Sequence, residues 1–522
     1  MVKAKKRNTK KVIQVGENAL PLETLLVDEF EYIWVSDADT PPVKEQALFK
    51  LNRLNPYYQD ALFLIDKTTP WCDQPEVLTA LPANQILYDQ AVKMPPDCQE
   101  IMQLKGAHQL DFGDVNVLAT TINKYFFGNQ AGYRMPPSWF TIAPGFEGGI
   151  RQQGQSYHEF KVDLDHQWRL MAYPNVAQWV PAHMLDTVLV EFERLDPSVH
   201  LKAVVTQYDL ETNEFLRSEE KVDDELRQEF KVEGGEKGCN MQLTVFASGS
   251  GTFHIGQFHV RRSRGPYGEF LLNDRRLIEP AGMNTELAIY FDAGDLKPPL
   301  NVYFSGYRSA EGFEGNYMMR MFHGPFLLIA DSRLEGGAFY LGSEALQQQV
   351  MAAIRGTLKR LHFKPNELIL SGLSMGTFGA LYYGARLAPS AIVVGKPLVN
   401  VGTIAKGTHL TRPGDFATSL DMLLFYEGDL SRAEKLNERF WRVFKKADFS
   451  HTTFAFAYMM NDDYDPHAFQ QVRQYLKKAE PMARILSKGL VGRHNDDTDG
   501  IVNWFVMQFR HLLHQQYGRN VD

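Results

Sequence analysis

Residues 372–376, with the sequence GLSMG, restrict the fold of this chain more than any other feature. They lie between an apolar run typical of a strand (368–371) and a segment typical of a helix (377–387). A serine at such a sharp turn needs glycine on both sides, because a larger side chain would clash with the backbone. The pattern therefore predicts a nucleophile elbow, in which Ser374 attacks an ester and the backbone N–H of Met375 stabilises the oxyanion.

The G-x-S-x-G pattern alone is a weak signal, because the chain contains 40 glycines. The strand and helix patterns on either side strengthen it. The simpler alternative is that Ser374 is only a small residue at a tight turn.

A nucleophile elbow requires an acid and a histidine later in the chain, in the order serine, acid, histidine. An aromatic, strand-like run (452–460) leads into the polar turn NDDYDP (461–466), and His494 lies on a loop before a helical pattern that starts at Ile501. Both partners thus follow in the order that α/β-hydrolases use. The alternative for His494 is a solvated loop histidine.

Three carboxylates in the polar turn compete for the role of the triad acid: Asp462, Asp463 and Asp465. Most carboxylates in such a run are surface charges or turn formers, so at most one is expected to face the histidine. Triad acids of hydrolases commonly precede a proline by four residues, and this offset from Pro466 favours Asp462. Asp463 and Asp465 stay open as alternatives.

A second oxyanion donor is expected where an earlier strand meets its loop. Residues 300–304 are typical of a strand and are followed by the sequence SGYR at 305–308. Glycine at this point lets a backbone N–H approach a substrate closely. The amides of Gly306 and Tyr307 are therefore the candidates.

Two charged residues follow another buried strand pattern, at 325–330: Asp331 and Arg333. Open α/β sheets bind ligands in the loops beyond the carboxyl ends of their strands. Asp331 and Arg333 are therefore predicted to contact substrate. The alternative is a mutual ion pair at the surface.

The charge balance argues against a general nucleic-acid-binding protein, since 55 basic and 63 acidic residues give a formal charge of −8. Only the amino end is basic, with six Lys or Arg among the first 11 residues. No apolar signal-peptide core follows them. Residues 1–24 are predicted to form a basic flexible tail, and contact with an anionic membrane surface is the alternative.

No apolar run approaches the ~18 residues needed to span a bilayer, which predicts a soluble protein. Cys72, Cys98 and Cys239 are too scattered for a disulfide framework, and this fits a reducing cytoplasm. His254 and His259 lie five apart in a predicted strand, on opposite faces, so they are not expected to chelate one ion. No metal site and no tightly bound cofactor are predicted.

Strand and helix patterns divide the remainder into three domains. Residues 25–135 mix both patterns without a glycine-rich phosphate loop, as expected of a small α/β domain. Residues 136–265 are strands and turns, typical of a β-sandwich or jelly roll, a fold that often binds carbohydrate. Residues 266–522 contain the elbow and its partners and are predicted to form an α/β-hydrolase-like catalytic domain. Within it, 407–449 is a polar and helical excursion that either caps the active site or contacts a partner protein.

Several motifs together resemble one family, the second Asp protein of the bacterial accessory Sec system. The elbow with its surroundings, LSGLSMGTFGALYYG at 370–384, carries most of the likeness. The family is also matched by the DSR motif at 331–333 with the nearby Gly-Gly and Tyr340, by DYDP at 463–466 and by GRH at 492–494. The likeness extends over the whole chain and its three-domain layout.

This resemblance implies a cytoplasmic protein that is encoded with an accessory SecA ATPase and with glycosyltransferases of serine-rich repeat adhesins. The implied partners are other accessory Sec Asp proteins, that ATPase and the glycosylated adhesin. Peripheral contact at the inner face of the membrane is the alternative that the basic amino end leaves open. The implied activities are targeting of the adhesin to the accessory translocon and O-acetylation of its N-acetylglucosamine, from an acetyl donor that the sequence does not identify. Ser374 and His494 map onto the triad of the family.

Two other classes of function stay open. A serine esterase or deacetylase of carbohydrate esters would use the same residues with water as the acceptor. A non-catalytic scaffold of the export complex would not need Ser374.

Overall fold

The computed structural model describes almost all of the chain in three successive units. The fold class predicted from the sequence is confirmed: an α/β-hydrolase-like domain follows a β domain and a small α/β domain. The residues that the structure describes are 9–36, 47–50, 53–176, 178–280, 282–410 and 416–521.

The first unit is a five-stranded parallel sheet, in the order β2-β1-β5-β6-β7, with helices on its faces. A short antiparallel pair of strands, β3 and β4, packs against one of its cores. The strands and helices are β1 (Lys10–Val15), β2 (Phe30–Val35), β3 (Phe49–Lys50), β4 (Arg53–Leu54), β5 (Leu62–Ile65), α1 (Pro75–Ala80), β6 (Ile86–Asp89), α2 (Pro96–Leu104), β7 (His108–Leu110) and α3 (Val115–Tyr125).

The first strand corrects the prediction of a flexible tail over residues 1–24. β1 lies inside the sheet, and its alternating side chains Val12 and Ile13 are buried in cores on opposite faces. The ammonium of Lys10 donates to the carbonyl oxygen of Phe126 at 2.9 Å, so this basic residue is part of the fold. The basic residues before position 9 lie outside the described residues.

The second unit is one ten-stranded antiparallel sheet. Its two longest strands, β11 and β17, pair through the middle of β17, from Val245 to Ile255. The first half of β17 pairs with β14 and the second half with β13. The strands are β8 (Gly132–Met135), β9 (Phe140–Ile142), β10 (Gly149–Gln153), β11 (Tyr157–Pro174), β12 (Gln178–Val180), β13 (Leu185–Arg194), β14 (Val199–Asp209), β15 (Phe215–Val222), β16 (Phe230–Glu233) and β17 (Cys239–Arg262).

Both halves of this sheet bury their apolar side chains in one core, as the sequence prediction of a sandwich requires. Leu201 and Val245 represent one half, and Val188 and Phe253 the other. The unit begins at β8, a few residues before the predicted boundary at 136, because β8 pairs with the end of β17.

The third unit has an eight-stranded sheet in the order β18-β19-β21-β20-β22-β23-β24-β25. From β21 onward in this order all neighbouring strands are parallel, whereas β19 is antiparallel to β21. Its elements are β18 (Arg275–Ile278), β19 (Glu286–Asp292), β20 (Leu300–Phe304), α4 (Asn316–Arg320), β21 (Phe326–Asp331), α5 (Glu344–Arg360), β22 (Leu368–Leu373), α6 (Met375–Leu387), β23 (Ala391–Gly395), α7 (Val401–Leu410), α8 (Thr418–Glu427), α9 (Ala433–Phe444), β24 (Thr453–Met459), α10 (Ala468–Ala479), β25 (Arg484–Leu490) and α11 (Thr498–Tyr517).

The inner parallel strands are mostly apolar because helices cover both faces of the sheet, whereas the edge strand β25 is more polar and more exposed. Side chains of α5, α6, α9 and α10 form the core on one face, and α4 and α11 contribute to the core on the other. The loops after β20, β22, β23, β24 and β25 all leave from the carboxyl edge of the sheet, which is where such sheets place their ligand sites. No helix among the described residues is long and apolar enough to cross a membrane.

Candidate active site

Ser374 occupies the sharp turn between β22 and α6, as the sequence predicts. Its backbone angles are φ 51° and ψ −121°, a strained conformation for a residue with a side chain. Its amide donates to the carbonyl oxygen of Gly395 at 2.8 Å, which fixes the turn to the neighbouring strand. A Cβ on Gly376 would lie 2.0 Å from the carbonyl oxygen of Phe304, and one on Gly372 would lie 2.4 Å from the backbone of Gly376. Both glycines are therefore required by close backbone packing.

A relay of two hydrogen bonds connects the serine to an acid. Ser374 Oγ lies 2.8 Å from His494 Nε2, and His494 Nδ1 lies 2.7 Å from Asp462 Oδ2. The side chains of His494 and Asp462 are 2% and 7% exposed, so water does not compete with this second contact. With Nδ1–H donating to the carboxylate, Nε2 is left as an acceptor for the serine proton.

The environment of Asp462 favours its charged form. Burial alone would raise the pKa of this carboxyl, but the hydrogen bond and charge of His494 outweigh burial and lower it. The amides of Tyr464 and Asp465 donate to Asp462 Oδ1 at 2.9 and 3.2 Å. Asp462 therefore stays an acceptor that holds the histidine in one tautomer.

The other two acids of the turn have different positions. Asp463 Oδ1 accepts the backbone N–H of His494 at 3.1 Å, so it fixes the loop that carries the histidine. Asp465 is buried and accepts the amides of Val399 and Asn400 at 2.9 and 2.7 Å. Burial raises the pKa of Asp465. Of the three candidates, Asp462 is the acid whose carboxylate meets the ring of His494.

The predicted oxyanion donors belong to α6 and to the loop after β20. Met375 is the first residue of α6, where a backbone N–H has no acceptor within the helix. A Cβ on Gly306 would lie 3.3 Å from the carbonyl oxygen of Leu373, so the loop after β20 packs directly on the turn. The amide of Gly306, however, donates to Glu314 Oε2 at 2.6 Å. Tyr307 is consequently the second donor that we retain.

Asp331 and Arg333 do not reach the triad. Their side chains are 0% and 7% exposed and form a two-pronged ion pair, with N–O distances of 2.8 and 2.6 Å. Asp331 also accepts the amides of Ala338 and Tyr340 at 3.0 and 2.9 Å. The predicted contact with substrate finds no support, because the charged groups of the pair already have partners. The structure instead contains the alternative, a mutual ion pair of Asp331 and Arg333. This pair is buried and not at the surface, and it holds the loop after β21.

Two charged residues near the site were missed from the sequence. Lys396 directly follows β23 with φ 59° and is 6% exposed, and its ammonium lies 3.3 Å from Thr498 Oγ1. Burial lowers the pKa of Lys396, and the charges of Asp462 and Glu314 oppose this. Lys396 could have been identified from its place at the carboxyl end of the buried strand AIVVG, because open α/β sheets bind ligands at that edge. Glu314 carried no signal in the sequence, because its contact with Gly306, eight residues away, depends on how the segment after β20 folds.

The excursion at 407–449 contains the end of α7 and the helices α8 and α9. Phe416 packs between Tyr307 and Tyr464, with ring centroids 5.2 and 5.4 Å apart, and the ring of Tyr464 lies 4.5 Å from that of His494. An aromatic wall therefore adjoins the triad. Residues 411–415 of the excursion lie outside the described residues, and whether it acts as a cap stays a prediction.

His254 and His259 of the β domain have separate carboxylate partners. His254 lies 3.2 Å from both Glu193 and Glu159, whereas His259 contacts Glu191 and Glu311. Across the described ranges, no group of three or more His, Cys, Asp and Glu side chains is arranged to hold a metal ion.

The eight-stranded sheet, the strained elbow and the serine–histidine–aspartate relay define an α/β-hydrolase fold with the site geometry of a serine hydrolase. The order of the three residues along the chain is also that of this class. A family model described as "Accessory Sec system GspB-transporter" matches residues 10–519. The chain belongs to this family, the second Asp protein of the accessory Sec system, which confirms the resemblance seen in its motifs.

Relatives of known name agree with this assignment. The chain is 43% identical over 401 residues to the second Asp protein of the accessory Sec system of Staphylococcus aureus, covering 75% of each chain. It is 35% identical over 525 residues to the corresponding protein of Streptococcus gordonii, covering 98% of this chain and 99% of the relative. A chain in the structure of the Glycosylation Associate Protein (Gap123) complex from Streptococcus agalactiae matches with a TM-score of 0.84, 33% identity and coverage of 99% and 100%.

Proposed function

We propose that this protein is a serine-dependent O-acetyltransferase that modifies N-acetylglucosamine on serine-rich repeat glycoprotein adhesins and assists their targeting to the accessory translocon. The observation that carries the enzymatic part is the relay from Ser374 through His494 to Asp462 on a strained elbow. Such strain and such a buried relay cost stability, and they persist in proteins where chemistry needs them.

The first half of the proposed reaction transfers the acetyl group to the enzyme. Ser374 Oγ attacks the carbonyl carbon of the acetyl donor while His494 Nε2 takes the serine proton. The tetrahedral oxyanion faces the amides of Met375 and Tyr307. When the intermediate collapses, the bond to the leaving group breaks and His494 returns the proton to that group.

The second half transfers the acetyl group to the acceptor. A sugar hydroxyl attacks the acetyl-serine, His494 takes its proton, and the ester bond to Ser374 breaks as that proton moves to Oγ. Water in place of the sugar would give a hydrolase with the same residues. Exclusion of water at the acceptor site therefore separates transferase from esterase.

Membership in the accessory Sec family supports the export part of the proposal. The proposed partners are the other accessory Sec Asp proteins, the accessory SecA ATPase and the glycosylated adhesin, in the cytoplasm or at the inner face of the membrane. The likeness to a chain of the Gap123 complex supports assembly with related proteins. In this proposal the β domain contacts glycan.

The proposal is tested by mass spectrometry of the glycans on exported adhesin. The cells compared carry the wild-type protein, Ser374→Ala or Ser371→Ala. Ser371 is a matched control on the same strand, since its hydroxyl donates to the carbonyl of Val302 and does not face His494. We expect Ser374→Ala to remove acetylation and to leave most export. Equal acetylation in wild type and Ser374→Ala would overturn the enzymatic proposal and favour a scaffold. Acetate release without sugar transfer by purified wild type would favour an esterase.

A further inference from the structure

The loop that carries Gly306 and Tyr307 is anchored by the β domain. Glu311 lies on this loop and its side chain is fully buried. Its two carboxylate oxygens contact His259 Nδ1 and Arg261 Nε, both on β17. Its amide donates to the carbonyl of Gly132 on β8 at 3.1 Å. Both the side chain and the backbone of Glu311 are thus bound to the ten-stranded sheet.

Arg134, on β8, holds the same loop at a second place. Its guanidinium donates to the carbonyl oxygen of Arg308, to that of Ser309 at 2.9 Å and to that of Ser332 at 2.5 Å. The first two carbonyls directly follow Tyr307, and Ser332 directly follows β21. One buried side chain therefore connects the β domain to two loops at the carboxyl edge of the hydrolase sheet.

The residues of the β domain that hold this loop are neighbours on β8 and β17. Arg134 and His259 are cross-strand neighbours, and Gly132 pairs with Arg261 in the same ladder. A Cβ on Gly132 would lie 2.7 Å from the ring of Phe270 and 3.2 Å from the Cβ of Glu311. Only glycine at this position lets the loop pack against the sheet.

The buried charges of this contact balance one another, as buried ions require. Burial would raise the pKa of Glu311, but Arg261 and His259 outweigh it and lower the pKa to about 2. Arg261 also contacts Glu269 and Glu286. We call Arg134, His259, Arg261 and Glu311 the clasp.

We propose that the clasp makes the β domain a positioning element of the acyl-transfer site, because it fixes the loop that presents the Tyr307 amide to the oxyanion. The inference rests on the proposed function. Residues 306–310 are neither helix nor strand, and the ladder of hydrogen bonds along β20 ends with the amide of Ser305, before Tyr307. An oxyanion donor stabilises a transition state only when it is held in place beforehand, and the clasp supplies this constraint.

Glu311→Gln tests the role of the clasp, with Asp186→Asn as the matched control. Asp186 is also buried, and it pairs with Arg262 on the neighbouring strand, away from the loop. With an activated acetyl ester as substrate, we expect Glu311→Gln to lower kcat about 10- to 100-fold and to leave KM within about twofold. Removal of a whole oxyanion donor lowers kcat by about 10²–10³, and a less firmly held donor should cost less. Asp186→Asn should stay within about threefold of wild type in both constants, measured where all proteins are folded.

Hydrogen exchange followed by mass spectrometry provides a readout that does not depend on turnover. We expect faster amide exchange in peptides that cover 304–312 in Glu311→Gln, with unchanged exchange in β22 and α6, and no such change in Asp186→Asn. If Glu311→Gln does not fold, Arg134→Gln replaces it, because it leaves Glu311 with both of its cations. Unchanged exchange and unchanged kcat in a folded clasp variant would overturn the inference. If wild type has no Ser374-dependent turnover, the proposed function fails and the exchange measurement alone decides the clasp.

Discussion

Two histidines in this molecule are almost equally buried, yet one is placed to act as a base and the other is held as a cation. His494, at the carboxyl edge of the hydrolase sheet, is 2% exposed and lies between one carboxylate, Asp462, and one hydroxyl, Ser374. His259, within β17, is 3% exposed and lies between two carboxylates, Glu311 and Glu191. The difference is the group at the second ring nitrogen.

That second group decides whether the ring is a base or a fixed cation. Burial would lower the pKa of His259, but Glu311 and Glu191 outweigh it and raise the pKa to about 9. Both nitrogens of His259 then donate at neutral pH, and neither can accept a proton. His494 has a hydroxyl at Nε2, so that nitrogen is available to take the serine proton. Burial beside a carboxylate therefore does not identify a catalytic histidine on its own.

The largest expected effect comes from replacing the two histidines in turn. His494→Gln should lower turnover of an activated acetyl ester by about 10⁴ or more, because it removes the base that faces the serine. Its melting temperature should stay near that of wild type. His259→Gln should instead lower the melting temperature clearly and affect turnover far less. Steady-state kinetics and calorimetry check both, and a reversed pattern would contradict the distinction between base and fixed cation.

The acids of the turn sharpen the same contrast. Asp462→Asn should lower turnover by about 10⁴, because an amide no longer stabilises the charged imidazole or fixes its tautomer. Asp463→Asn should cost about tenfold or less, since its carboxylate accepts from the backbone of His494. Asp465→Asn should chiefly lower the melting temperature, because two amides and the side chain of Asn400 depend on its oxygens. A large kinetic loss at Asp463 with an active Asp462→Asn would reassign the acid.

A third expected effect is on the pH dependence of stability. A histidine whose pKa is raised by folding stabilises the protein fully below its unfolded value, near 6.5, and this contribution is lost as the pH rises to about 9. The facing charges are Glu191 and Glu311, with Arg261 on the same strand. Melting temperatures of wild type should therefore fall between about pH 6.5 and 9, and His259→Gln should remove part of that slope. Parallel curves for the two proteins would show that His259 is not held as a cation.

Much of the hydrolase site was predictable because its signals are local. The elbow needs glycine at 372 and 376, and the offset from Pro466 selects Asp462 from its neighbours. The strand before His494 and the helix after it follow from apolar periodicity. These residues each follow a strand, and parallel strands bring their carboxyl ends together, so the chain order already implies the assembly.

The clasp was not predictable, because its partners are distant in sequence. His259 reaches Glu311, 52 residues away, and Glu191, 68 residues away, on different elements. The sequence alone indicated only that His259 and His254 lie on opposite faces of a strand. The first strand was missed for another reason, since its short apolar run lies beside lysines that normally indicate solvent.

The smallest expected effect concerns a buried acid without a cation. Asp421, on α8, accepts the amide of Gln155 at 3.2 Å through Oδ1, and its Oδ2 has no hydrogen-bond partner among the described residues. Burial raises the pKa of Asp421 to about 7, and the charge of Glu335 adds to this, whereas His494 lowers the pKa of Asp462. A raised carboxyl pKa means that the folded protein binds more protons than the unfolded chain, so stability falls as the pH rises from about 4 to 7.

Asp421→Asn keeps the size of this side chain and removes the charge. We expect its melting temperature to exceed that of wild type by a few degrees at about pH 8 and to match it near pH 4, because only the ionised form of Asp421 is disfavoured by burial. Calorimetry of both proteins across this range makes the measurement, with Asp462→Asn as the contrasting variant, because the surroundings of Asp462 lower its pKa. A lower melting temperature for Asp421→Asn at the alkaline end would contradict this prediction. It would mean that the fold stabilises the ionised carboxylate of Asp421, as it does that of Asp462.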